Sequence, residues 1–264
     1  MITLVARSFG RIARLLCAIL VVLVGFQIAL TAAAASFATA GDFDRLSQLT
    51  PAFIQQTLGP VLTSFQGMVT VGYFDALIVM LFVQFAIYLA AEPAGEIESS
   101  LVDLVLARPI PRHWLVTRSL LVMISTTVAF AGAMALGTWL GLLWLAPDGV
   151  QWPAPRTVLS FIAYLTIIAW CFGSASLAAS GWARRRGAAQ AVIAVAAMVA
   201  YLIDLLGMMW PPMRTVARIS PFHYFHGSTI LAGTADPVQD LGILGTLTVV
   251  GIVLAYWKFQ RRDL

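Results

Sequence analysis

Six long apolar runs constrain this chain more than any other feature of its sequence. They lie at about 15–40, 69–91, 119–146, 157–181, 188–210 and 241–257. Each is long enough to cross about 30 Å of hydrocarbon as a helix, and a helix satisfies its backbone hydrogen bonds within its own segment. A composition of 60% hydrophobic and 11% charged residues excludes a soluble globular domain. The sequence therefore predicts an all-α integral membrane protein with six transmembrane helices in a single domain over 1–264.

The basic residues test this division, because loops on the cytoplasmic side of a membrane protein carry an excess of arginine and lysine. Six spans place both termini on one face and assign twelve of the 16 basic residues to it. We therefore predict a multi-pass protein of a bacterial-type cytoplasmic (inner) membrane with both termini in the cytoplasm. The cytoplasmic bases are then Arg7, Arg11, Arg14, Arg108, Arg112, Arg118, Arg184, Arg185, Arg186, Lys258, Arg261 and Arg262, and the outer ones are Arg45, Arg156, Arg214 and Arg218.

The segment before the first run has a helical pattern of arginines. Arg7, Arg11 and Arg14 recur at i, i+4 and i+7, and apolar residues such as Leu4 and Phe9 occupy other faces. This pattern predicts an amphipathic helix over 2–14 that lies in the inner interface and contacts membrane lipid. A plain basic flank that only orients the chain is the alternative.

Two outer connections are long enough to have structure of their own. The connection at 42–65 mixes apolar and polar residues and is divided by Pro51 and Pro60, which favours short helices on the outer surface. The connection at 211–237 contains the aromatic stretch ISPFHYFHGSTILAG. Such a stretch can dip back into the membrane where protein covers its backbone.

The stretch GEIESSLVDLVLARPIPRHW, at 95–114, joins spans two and three on the predicted cytoplasmic face. Ile97, Leu101 and Leu104 follow helical spacing, the acids lie on another side, and two prolines end the pattern. Helices that rest on an anionic inner leaflet normally carry bases on their polar face. The acidic face of this short helix therefore predicts a protein partner.

The same segment resembles the cytoplasmic loop of type 2 ABC exporter permeases, whose pattern runs roughly E-x-E-x-G-T-L-x-x-L-L-x-x-P-V-S-R. Residues 96–112 read EIESSLVDLVLARPIPR, with Ser100 and Pro111 in place of the family's glycine and serine. Ser220-Pro221-Phe222 is similar to the family's S-P-F before its final span, and FQRRDL at 259–264 is similar to its terminal F-x-R-R-D-L. The resemblance covers the chain in span order.

The resemblance implies the membrane permease subunit of an ATP-driven exporter. In such a transporter two permease subunits, here expected to form a homodimer, sit over two separate ATPase subunits and move a hydrophobic or amphipathic substrate out of the cytoplasm. The N-terminal helix and the loop after span two then contact the ATPase. The coupling residues that the resemblance implies are Glu96, Glu98, Leu101, Asp103, Leu104, Pro109 and Arg112.

The chain lacks an ATP-binding loop of its own. A phosphate-binding loop requires G-x-x-x-x-G-K-[ST], and Lys258 is the only lysine. We therefore expect a transport subunit and not an enzyme, with no cofactor in this chain and with ATP and Mg²⁺ bound by the partner ATPase. The net charge of +4 is explained by orientation in the membrane, so no nucleic-acid partner is expected.

An ion-driven carrier or channel is the first alternative, because ion coupling uses ionisable groups within spans. Asp204 lies deep in span five, and Asp75 lies near the start of span two. Asp204 could bind a cationic substrate, or it could bond to a neighbouring helix. The sequence leaves both roles open.

An intramembrane enzyme is the second alternative. His223 and His226 are three residues apart, so one helical face could present both to a metal ion. The sequence shows no third ligand beside them, and histidine and aromatic residues in an outer loop are typical of interface anchors. We therefore expect no metal site.

Overall fold

The computed structural model describes residues 2–40, 64–98, 113–183 and 185–261, and the regular structure within these ranges is helical. No β-strand occurs in them, in agreement with the predicted all-α class. We number the α-helices in chain order. They are α1 (Ile2–Ala40), α2 (Phe65–Thr70), α3 (Ala76–Ala90), α4 (Glu92–Glu98), α5 (His113–Leu145), α6 (Pro155–Ser180), α7 (Arg186–Met209), α8 (Arg214–Ala217), α9 (Gly227–Leu231) and α10 (Pro237–Gln260).

Six of the described segments are long and apolar enough to cross a membrane, which confirms the predicted six-span architecture. Their mean hydropathy, taken over the most apolar window of each, lies between 1.8 and 2.6. We refer to them as spans one to six. They are Ala13–Thr39, Phe65–Glu96, His113–Leu145, Pro155–Ser180, Arg186–Met209 and Pro237–Gln260.

Span two is interrupted near its N-terminal end. A 3₁₀ turn at Val71–Tyr73 follows α2, and the chain starts a new helix at Ala76. Asp75 caps that helix, because its carboxylate accepts a hydrogen bond of 2.9 Å from the N–H of Leu77. Asp75, which the sequence singled out as an ionisable group, therefore has a structural role as a helix cap.

Spans two and four form the centre of the bundle. Helix α6 packs against α3, α5 and α10, while α1 packs along α5. The rings of Phe82, Phe130 and Phe161 are fully buried between these helices. By contrast, α7 and α10 expose many large apolar side chains, as expected of helices that face lipid.

Small residues let α1 and α5 approach each other closely. A Cβ atom added at Gly137 would lie 2.6 Å from the backbone oxygen of Val24, and one added at Gly141 would lie 2.7 Å from Oγ1 of Thr31. Close approach through small residues is typical of helix packing in membranes. Span three therefore packs directly against the backbone of span one.

The predicted interfacial helix over 2–14 is not a separate element. Residues 2–40 form one uninterrupted α-helix of 39 residues, which is about 58 Å long at 1.5 Å per residue. The apolar span begins at Ala13, so the earlier turns extend span one beyond the hydrocarbon instead of turning along the interface. Arg14 is exposed, and the side chains of Arg7 and Arg11 lie outside the described part of the structure.

The two connections predicted to lie outside differ in how much of them the structure describes. Most of 42–65, where short helices were predicted, lies outside the described residues. The connection after α7 consists of helical turns at Pro211–Met213, Arg214–Ala217, Pro221–Tyr224 and Gly227–Leu231. These turns fold back over the ends of spans four and five.

We predict that Gly137→Ala destabilises the protein in detergent by about 1–3 kcal/mol, because the added methyl group collides with the backbone of span one. Gly132→Ala is the matched control, since Gly132 lies on the same helix with open space around its Cα. Thermal unfolding of both purified variants measures the difference. Equal unfolding temperatures for the two variants would contradict the described contact between spans one and three.

Candidate functional site

A buried ion pair lies where span two ends at the arginine-rich face. Nη1 of Arg118 lies 2.8 Å from Oε1 of Glu96, and its Nη2 lies 3.7 Å from Oε2 of Glu92. The arginine side chain is 6% exposed and each glutamate side chain 11%. These contacts join α4 to α5, so the helix after span two is attached to span three.

A second set of contacts joins α4 and the end of α3 to span five. Oε2 of Glu98 accepts a hydrogen bond of 3.0 Å from the backbone N–H of Arg186. The Arg186 guanidinium donates through Nη2 to the carbonyl of Tyr88 at 2.9 Å and lies 4.3 Å from the centre of the Tyr88 ring. Gly95 leaves the room for this side chain, because an added Cβ would lie 2.9 Å from Cδ of Arg186.

The predicted coupling residues thus divide into two groups. Glu96 and Glu98 lie in the described part of the structure, and each has a partner elsewhere in the same chain. Glu96 is largely buried against Arg118, while Glu98 is exposed and contacts the start of α7. The other predicted coupling residues, Leu101, Asp103, Leu104, Pro109 and Arg112, lie outside the described residues. The sequence treated Arg118 and Arg186 as orienting charges, because only the approach of α4 to α5 and α7 reveals their partners.

At the opposite end of the bundle, the Ser220-Pro221-Phe222 motif attaches the connection between spans five and six to spans four and five. Oγ of Ser220 donates to the carbonyl of Ala200 at 2.8 Å and accepts from the N–H of Phe222 at 3.2 Å. The Phe222 ring stacks on Phe172 with ring centres 5.2 Å apart and meets the edge of Tyr201 at 5.5 Å. The motif therefore fixes the position of the residues that follow it.

Those residues bring two histidines to the acid of span five. Nδ1 of His223 lies 3.5 Å from Oδ1 of Asp204, and Nε2 of His226 lies 3.6 Å from Oδ2. One potential ligand atom from each of the three residues lies within 4.8 Å of the others. The expectation that the histidines lack a third ligand is therefore wrong. Asp204 could not be recognised as a third potential ligand from the sequence, because it precedes His223 by nineteen residues. The two side chains meet only where the connection folds back along α7.

The three side chains line an open cavity of about 240 Å³. Asp204 is 4% exposed, whereas the imidazoles of His223 and His226 are 34% and 22% exposed. Gly207, Met208, Ala217 and the side chains of Arg214 and Arg218 complete the lining. The buried carboxylate thus lies at the inner end of the cavity, and the two partly exposed imidazoles lie between it and the surface.

A second acid lies near this cluster, at the start of span six. The hydroxyl of Tyr164 donates to Oδ2 of Asp240 at 3.1 Å, and the Phe225 ring stacks on Tyr164 at 5.9 Å. Asp240 is close enough to His223 and His226 to interact with them electrostatically. Carboxylates from spans five and six and imidazoles from the connection between them therefore meet at one end of the bundle, an arrangement that can hold a cation.

The chain matches no protein-family model, no curated protein and no solved structure. The features that bear on function are therefore the contacts of α4, the Asp204–histidine cluster and the sequence motifs.

We predict that Arg118→Ala destabilises the protein by about 3–5 kcal/mol, because it removes the buried guanidinium that pairs with the largely buried Glu92 and Glu96. Arg156→Ala is the control, since Arg156 is exposed at the start of α6 and has no ion pair among the described residues. Thermal unfolding in detergent distinguishes them. An Arg118 variant as stable as the Arg156 variant would show that the ion pair does not hold α4 in place.

Proposed function

We propose that this chain is the membrane permease subunit of an ATP-driven exporter, in which α4 and the residues after it receive the movement of a separate ATPase. The observation that carries the proposal is the attachment of α4 to three spans at the arginine-rich face. The six-span architecture and the resemblance of 96–112 to the type 2 ABC exporter permeases support it.

The contacts of α4 suggest how movement is transmitted. Helix α4 follows α3 directly, is joined to α5 through the Arg118 ion pair and touches the first residue of α7 through Glu98. A push on the segment at 99–112 therefore acts on spans two, three and five together. Packed helices respond to such a push by shifting as rigid bodies.

The buried position of Glu96 changes the role proposed for it. Its side chain is largely enclosed with Arg118, so we assign it to holding α4 and not to contact with a partner. Glu98 is exposed, and together with Asp103, Leu101, Leu104, Pro109 and Arg112 it remains a proposed contact with the ATPase.

The proposed assembly contains two copies of this chain and two ATPase subunits that bind ATP and Mg²⁺. The proposed substrate is hydrophobic or amphipathic, in keeping with six spans whose most apolar windows each hold at most two charged residues. The distribution of arginine favours a bacterial-type cytoplasmic membrane, with both termini and α4 in the cytoplasm.

An ion-driven carrier or channel is a second candidate, and one observation favours it. Asp204 is buried beside two imidazoles and opens into a cavity, as expected of an ion-binding residue in a span. The cavity lies at the end of the bundle opposite α4. The two candidates therefore predict sensitivity to substitutions at opposite ends of the molecule.

Co-purification tests the permease proposal. An ATPase with a phosphate-binding loop, encoded beside this chain, is expected to co-purify with the wild-type protein and to be lost at least about tenfold from the Glu98→Lys, Asp103→Lys double variant. The reason is that like-charge contacts at an interface cost several kcal/mol. We leave Glu96 unchanged, because its replacement would break the buried pair with Arg118.

Asp148→Lys is the control, since it makes the same acid-to-lysine change, at one site instead of two, at an exposed position on the opposite face. Thermal unfolding of each variant confirms that the fold is retained. If the ATPase binds equally well to the double variant, the coupling assignment is wrong. If no ATPase binds the wild-type chain, the permease proposal fails and the ion-driven carrier takes its place.

A further inference from the structure

We propose that Asp204, His223 and His226 form a binding site for a divalent transition-metal ion such as Zn²⁺, at the end of the bundle opposite α4. The site takes one carboxylate from span five and two imidazoles from the connection between spans five and six. It does not depend on the proposed coupling to an ATPase.

The distances in the cluster suit metal ligands better than hydrogen-bonding partners. Hydrogen bonds between nitrogen and oxygen are about 2.7–3.2 Å long, whereas the two Asp204–histidine distances are 3.5 Å and 3.6 Å. Nitrogen and oxygen ligands at about 2.0–2.2 Å from a tetrahedral Zn²⁺ lie roughly 3.3–3.6 Å from one another. Each imidazole lies at that spacing from one oxygen of the Asp204 carboxylate, His223 from Oδ1 and His226 from Oδ2, and one potential ligand atom from each of the three residues lies within 4.8 Å of the other two.

The environment of the Asp204 carboxylate also favours a bound metal ion. Asp204 lies in an apolar span with its side chain 6% exposed, and its Oδ1 accepts no hydrogen bond from the described residues. A buried carboxylate without hydrogen bonds is costly in a membrane protein unless a cation compensates it. A metal ion shared with two neutral imidazoles supplies that compensation.

The surrounding contacts hold the two histidines in place before any ion binds. Ser220 and Phe222 attach the preceding turn to α7 and α6, and the hydroxyl of Tyr224 donates to the carbonyl of Arg218 at 2.9 Å. On the other side, Gly227 lies against the ring of Phe74, where even a Cβ would collide with it. Ligands held by packing and hydrogen bonds of this kind are what a preorganised metal site requires.

The ligand set also indicates the class of metal. Two imidazoles and one carboxylate suit Zn²⁺ and similar first-row transition metals, whereas Mg²⁺ and Ca²⁺ prefer sites made of oxygen ligands. Three protein ligands leave a fourth position open, and the cavity that they line also contains Arg214 and Arg218. We therefore assign the open position to water or to an anionic ligand held by these arginines.

Metal titration of the purified protein tests the site, after removal of any histidine tag and dialysis against a chelator. The chain contains three histidines, so His113→Gln, in an exposed residue at the opposite end of the bundle, is a matched control. We expect the wild type and the control to bind one Zn²⁺ per chain. Asp204→Asn, His223→Gln and His226→Gln should each weaken binding at least about 10–100-fold, the loss already typical of outer-shell partners.

Two further measurements exclude indirect effects. Co²⁺ bound to the wild type should give the visible absorption of a tetrahedral site without a thiolate charge-transfer band, which excludes Cys17 and Cys171 as ligands. Zn²⁺ should raise the thermal unfolding temperature of the wild type and of His113→Gln but not of the three site variants. Unfolding without metal shows whether each variant is folded, and the Co²⁺ spectrum of the wild type tests the site even if a variant does not fold.

The proposal is overturned if the wild type binds no Zn²⁺, if all three site variants bind as tightly as the wild type, or if His113→Gln weakens binding as much as they do. A wild type that binds no metal but is destabilised by Asp204→Asn would identify the cluster as a contact between the carboxylate and the histidines alone. That result would equally overturn the metal site.

Discussion

The membrane interior offers polar groups no partner, so polar groups buried in this chain require a partner within the protein or a bound ion. The hydroxyls of Thr127, Thr138 and Thr248 meet this requirement locally, by donating to the carbonyl four residues earlier. Larger groups reach across helices, as Trp170 does to Thr127 at 2.7 Å and Arg118 does to Glu96. These contacts, together with the close packing at Gly137 and Gly141, select which spans are neighbours and in what register.

Span five connects the contacts of α4 at one end of the bundle with the Asp204–histidine cluster at the other. Arg186 begins α7 at the α4 end, and Asp204 follows eighteen residues later, about 27 Å along the helix. Ser220 is bonded to the same helix at Ala200, so the turn that carries the histidines is attached to span five. Under the proposed function, a push on α4 moves Asp204 and its histidines as one unit, while the Tyr164–Asp240 contact between spans four and six lies beside it.

How much of this could be predicted from the sequence depends on the range of the interaction. The apolar runs report directly on burial in lipid, and they predicted the six spans that the structure shows. The continuous helix α1 was missed, because arginine spacing indicates a helix but does not show whether the chain turns after it. The Asp204 cluster and the Arg118 pair were missed for another reason: each joins residues from different elements, and their distances exist only after the spans have packed.

Orientation in the membrane is the claim on which the permease proposal depends, since α4 must face the cytoplasm for an ATPase to reach it. Labelling with a membrane-impermeant thiol reagent in intact cells measures it, using Glu98→Cys and Asp148→Cys separately in a chain whose Cys17 and Cys171 are replaced by serine. Both positions are exposed. The account predicts labelling at 148 in intact cells and at 98 only after the membrane is opened; labelling at 98 in intact cells, with 148 protected, would contradict it.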